Sequence, residues 1–391
     1  MSNRSIRITC VHQGYELYGS DRSFIESVRV LRERFPNAVI EVVLPAHGPI
    51  VAWLEPYATA ILIEPLWILR RRDLPRLMTL GLASLPLAVA RAWRRIRRSD
   101  VVYVNTSVVA DYLLAAGLDR RRTIAHIHEI PEGPVRQALR LLVWASGARL
   151  IFNSRATRAA FALPPSVHQA VVYNGIADPG EARPATYDGS RPLRVLMLGR
   201  ISRIKGQEVL VEALRRLPPG LRDRIEVRIV GNAFEDAARE AALAAAIASA
   251  GLQDRVRLLP FIPDPGEHYR WADIVTVPSR LPESLGRVAI EGMAHGAPPL
   301  VSAIGGLPEV VEAGRTGWIV PPDDARALAA ALAEIVTKPE GWATFPQAAR
   351  RRYERIFGQD ACADALVAEF TGLLRTGPGP SPVAATTTVS R

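Results

Sequence analysis

Short apolar runs recur along the chain, each closed by a polar or glycine-bearing turn and most followed by a helical stretch. Ile6–Val11 is the first such run and reads as a strand. His12–Gly19 is a loop with two glycines and two tyrosines, after which Ser20 or Asp21 is placed to cap a helix through Arg34. Val39–Leu44, Ala60–Ile63, Val101–Val104, Thr123–Ile127 and Leu150–Phe152 read as further strands, and Asn153-Ser154 caps the next helix. Val171–Ile176 closes this first series. Asp178–Pro192 is rich in Pro, Gly and charge and reads as a linker. A second series then starts at Leu193–Leu198. It continues with strands at Ile225–Val230, Val256–Ile262, Asp273–Pro278, Pro298–Ser302 and Trp318–Val320. Its predicted helices are Gln207–Leu217, Ala237–Ala250, about Leu285–His295, and Asp323–Val336. Ala348–Leu374 reads as one or two terminal helices, and residues 376–391, without periodicity, as a disordered tail. Strands alternating with helices predict an α/β fold with parallel sheets. The reading is a first domain at 1–178, a linker at 179–192, a second domain at 193–347 and terminal helices at 348–375.

The chemistry concentrates at strand ends. In Ser279–Glu309 the carboxylates Glu283 and Glu291 stand eight residues apart, the first in a loop, the second about two turns on in a helix and on a similar face. Ser284, Leu285, Gly286 and Arg287 form the predicted first turn, where N–H groups lack intrahelical partners and attract anions. Carboxylates for hydroxyls and a positive helix end for phosphate suit a sugar linked to a nucleotide diphosphate. Two glutamates on a solvated helix face are the plainer alternative. Arg200 and Lys205 follow the Leu193–Leu198 strand. The chain holds only two lysines, Lys205 and Lys338, so one of its two compact ammonium charges stands in this loop. In the first series Asn105-Thr106-Ser107 ends one strand. His126 and His128 share one side of another, open to reading as ligand contacts, a metal pair or structural histidines. No G-x-G-x-x-G follows the first strand, so a nicotinamide cofactor is not supported. No D-x-D stands in a suitable loop, so no metal site is assigned.

The order Gly199-Arg200 … Lys205-Gly206, then Glu283 and Glu291, then Gly305-Gly306-Leu307-Pro308-Glu309 and Thr316-Gly317-Trp318-Ile319-Val320, resembles the retaining glycosyltransferases of family 4. The resemblance is dense over Leu193–Asp324 and thinner over the first half. It implies the GT-B fold: two Rossmann-like domains facing across a cleft, the last helix crossing back to the first domain. It implies transfer of a glycosyl group from a nucleotide-diphosphate sugar to a sugar or lipid-linked acceptor, with retention, in polysaccharide or glycolipid assembly. No cofactor beyond the donor and no metal would be needed. Carried over residue by residue, it makes His128 and Glu283 the catalytic sugar contacts. Arg200, Lys205, Ser284, Leu285 and Gly286 would hold the diphosphate, Glu291 the ribose diol and Phe261 the base. Gly19 stands where the family places glycine near the donor phosphates or the acceptor, a partial match because Gly14 and Gly19 are separated. Two other classes stay open: a nucleotide-sugar epimerase of the same fold, and a non-catalytic nucleotide-sugar-binding protein.

Composition adds compartment and surface. Cys10 and Cys362 make no disulfide framework, which suits a reducing, cytoplasmic setting, and residues 1–20 carry no long apolar signal-peptide core. The net charge is +10, and residues 61–100 hold nine arginines against three acids. Within them Leu77–Ala90 is uncharged, contains Pro86 and is too short to span a bilayer. With Trp67 and Trp93 at its margins, the segment 70–98 suits peripheral contact with an anionic inner membrane face. The alternative is a buried helix with a solvated basic flank. No nucleic-acid recognition motif accompanies it.

Overall fold

The computed structural model describes residues 5–17, 19–69, 81–180, 187–233 and 236–376. Seven apolar runs become β1 (Arg7–Val11), β2 (Val39–Leu44), β3 (Ala60–Ile63), β4 (Val101–Val104), β5 (Thr123–Ile127), β6 (Arg149–Phe152) and β7 (Gln169–Val171). They form one parallel sheet in the order β3-β2-β1-β4-β5-β6-β7. Six more, β8 (Leu193–Leu198), β9 (Ile225–Val230), β10 (Val256–Leu259), β11 (Ile274–Val277), β12 (Pro299–Ser302) and β13 (Trp318–Val320), form a second parallel sheet, ordered β10-β9-β8-β11-β12-β13. Helices cover both faces of such sheets, which is why strands like Val101–Val104 are apolar at every position and wholly buried. In each sheet the chain leaves the founding strand on one side and returns on the other. Ile8 pairs Val101 through Val11 with Val104, and Val195 pairs Ile274. The loops after β1 and β4, and those after β8 and β11, therefore emerge side by side at topological switch points, where open α/β sheets collect ligands.

Contacts divide the chain into two units. One runs to Val172 and takes the chain back from Cys362; the other is Tyr173–Ala361. The division falls ahead of Asp178 because Ile176 packs in the second core. Its N–H donates to Phe357 O at 3.1 Å and its carbonyl accepts from Tyr353 OH at 2.9 Å. The end of the stretch read as a linker is also ordered, Tyr187 stacking on Trp342 at 5.8 Å. Residues 181–186 lie outside the described residues.

In the first unit, helix Gly19–Arg34 sets Phe24, Val28 and Leu31 against Ile8, Ile40 and Tyr103. Those positions recur at helical spacing, which makes the apolar stripe. The last helix, Gln359–Thr376, adds Leu366, Phe370 and Leu373 to the same core. Truncating the fully buried Phe370 to Ala would cost about 3–5 kcal/mol. In the second unit Leu210 and Leu214 of helix Gln207–Arg216 pack with Val195, Val227 and Ile229. Helix Ala325–Thr337 joins them, capped by Asp324, whose carboxylate accepts from Arg326 N and Ala327 N at 2.9 Å.

Several boundaries differ from the sequence reading. Helix Gly19–Arg34 starts ahead of Ser20 and Asp21, and Asp21 is a buried side chain within its first turn. Strand β10 stops at Leu259, leaving Pro260–Ile262 in a loop. The helix expected from Leu285 begins at Arg287, because Gly286 has φ +95° and cannot belong to a right-handed turn. The terminal region holds helix Phe345–Arg352, a π turn at Tyr353–Phe357 and then the last helix.

Of the basic segment, residues 70–80, with Arg70, Arg71, Arg72 and Arg76, lie outside the described residues, as do 377–391 of the predicted tail. The rest is helix Leu85–Arg98, which buries Ala88, Ala92 and Ile96. Arg95 turns inward to Glu41 at 3.4 Å and to Glu64, and Arg91 lies 3.6 Å from Glu64. Leu87, Arg94, Arg97 and Arg98 face solvent. Among the described residues no helix is long and apolar enough to cross a membrane.

Candidate functional site

At the second unit's switch point three loops lie on one another. The first carries Arg200 and Lys205 and ends at Gly206, φ +77°, the N-cap of helix Gln207–Arg216. A Cβ on Gly206 would sit 2.0 Å from Pro278 O, so this glycine lets the first loop press on the β11 loop. The third loop, after β12, lays Gly305-Gly306 directly on Glu283-Ser284. A Cβ on Gly305 would stand 2.2 Å from Glu283 O, and Gly306 N–H donates to that oxygen at 2.8 Å. The motif glycines thus give the three loops the close approach that holds Glu283 in place.

The result is a fixed carboxylate. Glu283 Oε2 accepts from Lys205 Nζ at 2.9 Å, and its Oε1 accepts from Ser279 Oγ. Both partners of the ion pair keep some exposure, 26% for Lys205 and 12% for Glu283, so the ammonium still reaches solvent. Arg200 is exposed, and its carbonyl accepts from Gln207 Nε2 at 3.1 Å. Glu291 has other company: Oε2 accepts from Tyr269 OH at 2.6 Å and Oε1 from Arg287 Nε at 2.7 Å. The two glutamates are therefore held by different partner sets. Tyr269 in turn stacks on His295 at 5.1 Å, and burial, with Arg270 next, holds that imidazole below its ordinary value. Leu285 is buried in the core, which leaves only its backbone for a ligand. Ser284 and Gly286 precede the helix as a loop turn and cap. Phe261 is 46% exposed on the loop after β10. Ser279 and Tyr269 escaped the sequence reading; their only signal was position, at a strand end and one turn of chain before the next strand.

At the first unit's switch point the side chains that meet one another are mostly buried. His126 is buried, its Nδ1 2.6 Å from Tyr103 OH, and burial pushes it down to about 3. It is a core histidine. His128, half-buried, packs its ring 4.1 Å from that of His126 and sets Nε2 2.8 Å from Asn105 Oδ1. Burial first, then His126 and His12, hold His128 well below the usual imidazole value, so both rings are neutral at pH 7. Glu129 accepts from Thr106 Oγ1, from Ser107 N at 3.1 Å, from Ser107 Oγ at 2.9 Å and from His128 N at 3.2 Å. It ties the end of β5 to the end of β4. Gly19 opens its helix with nothing within 4 Å of where a Cβ would stand, so sterics do not require glycine there. Among the described residues no group of three or more His, Cys, Asp or Glu is arranged to hold a metal ion.

Two doubly wound units, each with polar loops at its switch point, define the GT-B class of fold, and the solved structures agree. HepE of Anabaena, in complex with UDP and glucose, is similar over 94% of this chain and 99% of its own, at 25% identity and a TM-score of 0.75. Residues 182–352 match the model of the family described as glycosyl transferases group 1. Similar curated proteins include the D-inositol 3-phosphate glycosyltransferases of Geodermatophilus obscurus and Thermobispora bispora. The first is 36% identical over 186 residues, covering 45% of this chain and 40% of its own. The second is 37% identical over 186 residues, covering 46% and 43%. The match thus spans about two-fifths of these relatives' length.

Proposed function

We propose that the protein is a glycosyltransferase that moves a sugar from a nucleotide-diphosphate donor to an acceptor, with retention at the anomeric carbon. The observation that carries this reading is the Lys205–Glu283 pair, held by glycine-packed loops at a switch point inside the segment of group 1 sequence. Departure of a diphosphate builds negative charge on the leaving oxygen. Lys205, Arg200 and the positive end of helix Arg287–Ala294 meet that charge as a preorganised site. Glu283, braced by Lys205 and Ser279, accepts hydroxyls of the donor sugar. Glu291 takes the ribose diol, Phe261 flanks the base and His128 contacts the transferred sugar. The leaving phosphate takes the acceptor's proton on the same face. These cations take the place of a divalent ion, and no cofactor is used.

HepE is described with UDP and with UDP-glucose, so uridine diphosphate sugars are the first donors to try. The curated relatives' name makes inositol 3-phosphate the first soluble acceptor to try. Lipid extracts cover the other acceptor class, which fits assembly of a polysaccharide or glycolipid at an inner membrane face. The test is release of free nucleotide diphosphate from each donor, with and without acceptor, followed by NMR of the product's anomeric proton. Acceptor-dependent release with retained configuration supports the reading. Donor turnover without acceptor would mean an epimerase, and binding without turnover a non-catalytic protein. Activity is expected to persist in excess EDTA; loss restored by magnesium or manganese would show that a metal neutralises the leaving group.

A further inference from the structure

Four elements of the first unit bring their polar side chains into one chain of contacts at the β1/β4 switch point. His12 follows β1, Asp21 stands in the first turn of helix Gly19–Arg34, Asn105 follows β4 and His128 follows β5. His12 Nε2 lies 2.7 Å from Asp21 Oδ1, His12 Nδ1 lies 3.2 Å from Asn105 Nδ2, and Asn105 Oδ1 lies 2.8 Å from His128 Nε2. His12, Asp21 and Asn105 are between 0% and 2% exposed, so water does not make good a wrongly oriented donor.

We propose that Asp21, His12 and Asn105 are positioning residues that set the tautomer of His128, placing its proton on Nε2 and its lone pair on Nδ1. A carboxylate only accepts, so His12 must carry its proton on Nε2. A neutral imidazole then accepts at Nδ1, which calls for the amide Nδ2 of Asn105. That orientation turns Asn105 Oδ1 toward His128 Nε2, and an amide oxygen only accepts. Tyr103 OH lies 2.9 Å from the same oxygen and can donate its one proton there when His126 Nδ1, 2.6 Å away, carries a proton of its own. Reversing the amide would set like against like at buried sites and leave those groups unmet. Two packing features hold the chain in register. Phe24 stacks on His12 at 4.5 Å and 11° between planes, fixing the ring. Gly14 lies over the first link: a Cβ there would stand 2.0 Å from Asp21 Oδ1 and 3.0 Å from His12 Nε2. Gly14, rather than Gly19, is thus the glycine this loop requires.

Only the catalytic consequence rests on the proposed function, since a sugar contact at His128 would depend on which nitrogen carries the lone pair. The test uses the full chain labelled with 15N at histidine. Imidazole nitrogen shifts report which nitrogen is protonated, and His128→Gln identifies the His128 signals. In the wild type His12 and His128 are both expected as the Nε2–H form. In Asp21→Asn the obligatory acceptor is gone: the new amide meets His12 Nε2 with its oxygen or its nitrogen, so His12 and His128 are expected to lose the single Nε2–H form and to show the Nδ1–H form as well. With UDP-glucose and a working acceptor, kcat is expected to fall tenfold or more while the donor KM changes by less than about threefold. Gly14→Ala should loosen the same link. A wild-type His128 protonated on Nδ1, or a doubly protonated His12, overturns the proposal, and this spectrum decides even if Asp21→Asn does not fold. A His128 tautomer that stays put in folded Asp21→Asn while His12 changes to the Nδ1–H form also overturns it. A tautomer swap in a protein that transfers no sugar supports the relay and counts against the proposed function instead.

Discussion

The two switch points solve different problems with the same strand order. In the second unit the working groups are charged and partly open: Lys205 and Glu283 face each other with exposure left, and Arg200 is in solvent. In the first unit they are mostly buried, a hydrogen-bonded chain from the Asp21 carboxylate to the half-buried His128, closed over by Gly14. An exposed charge can be re-solvated, so the second site is able to trade its partners for an arriving anion. A buried hydrogen-bonded network has no such reserve and holds one arrangement of its protons. One site is suited to binding a variable anion, the other to presenting one nitrogen in one state.

The largest break in that contrast is expected at the cations. Lys205→Ala or Arg200→Ala should lower kcat/KM for nucleotide-sugar consumption by on the order of a hundredfold. Both side chains reach solvent, so the unfolding midpoint should hardly move. Near-normal turnover in both variants would remove the second switch point as the seat of the leaving group.

A smaller effect is expected where glycine lets loops touch. Gly305→Ala combines φ +59° with a Cβ 2.2 Å from Glu283 O, and should cost about 1–3 kcal/mol in denaturant unfolding. Its counterpart is Gly19→Ala, which has nothing within 4 Å and should stay within about 0.5 kcal/mol of the wild type. Equal costs at the two positions would show that the close loop contact does not carry the second site.

Acid should act on the first unit's neutral core. His126 and His128 have folded values below the ordinary 6.5, that of His126 at about 3. Below pH 6.5 the unfolded chain therefore binds protons that the folded chain refuses, and stability falls as pH drops from 6.5 toward 3, at up to about 1.4 kcal/mol per unit for each group. Asp111 works the other way. Burial raises it to about 6, so its protonated form favours the fold as pH falls from 6 toward 4. Two imidazoles against one carboxyl leave a net loss on acidification. Denaturant midpoints between pH 7 and 4 check this, and His126→Gln should flatten the slope. A midpoint that rises on acidification would contradict the buried neutral histidines.

The smallest effect concerns the outer face of helix Leu85–Arg98. Arg91 and Arg95 are committed to Glu64 and Glu41, which leaves Arg94, Arg97 and Arg98 with the exposed Leu87. At about 1 kcal/mol per arginine near an acidic surface, binding to anionic vesicles should be weak and fade as salt rises. Replacing the three by Ser should abolish it while nucleotide binding is kept. Equal sedimentation with neutral vesicles would count against an electrostatic surface.

Much of the fold was legible along the chain. Strands covered on both faces are mostly apolar, so β1, β2, β4, β5, β8 and β9, each with at most two charged residues, are local signals that need no partner to be seen. The same holds for the second site, where charge and glycine stand together within single loops. Element ends were less legible: β10 stops before Pro260, and the Glu291 helix waits for Arg287, because the competing turn depends on a backbone angle at Gly286.

What the sequence by itself determined is therefore the two sheets of parallel strands and the charged loop motif, since short-range pattern carries both. Only the tertiary structure decided that Glu283 belongs to Lys205 and Glu291 to Tyr269, and that Asp21 reaches His12 instead of capping its helix. Only it joined Asn105 to residues 93 and 23 positions away. Common polar residues at such separations leave no trace in local pattern. They meet because parallel pairing brings the ends of β1, β4 and β5 to one edge, where burial makes each of them find a partner within the protein.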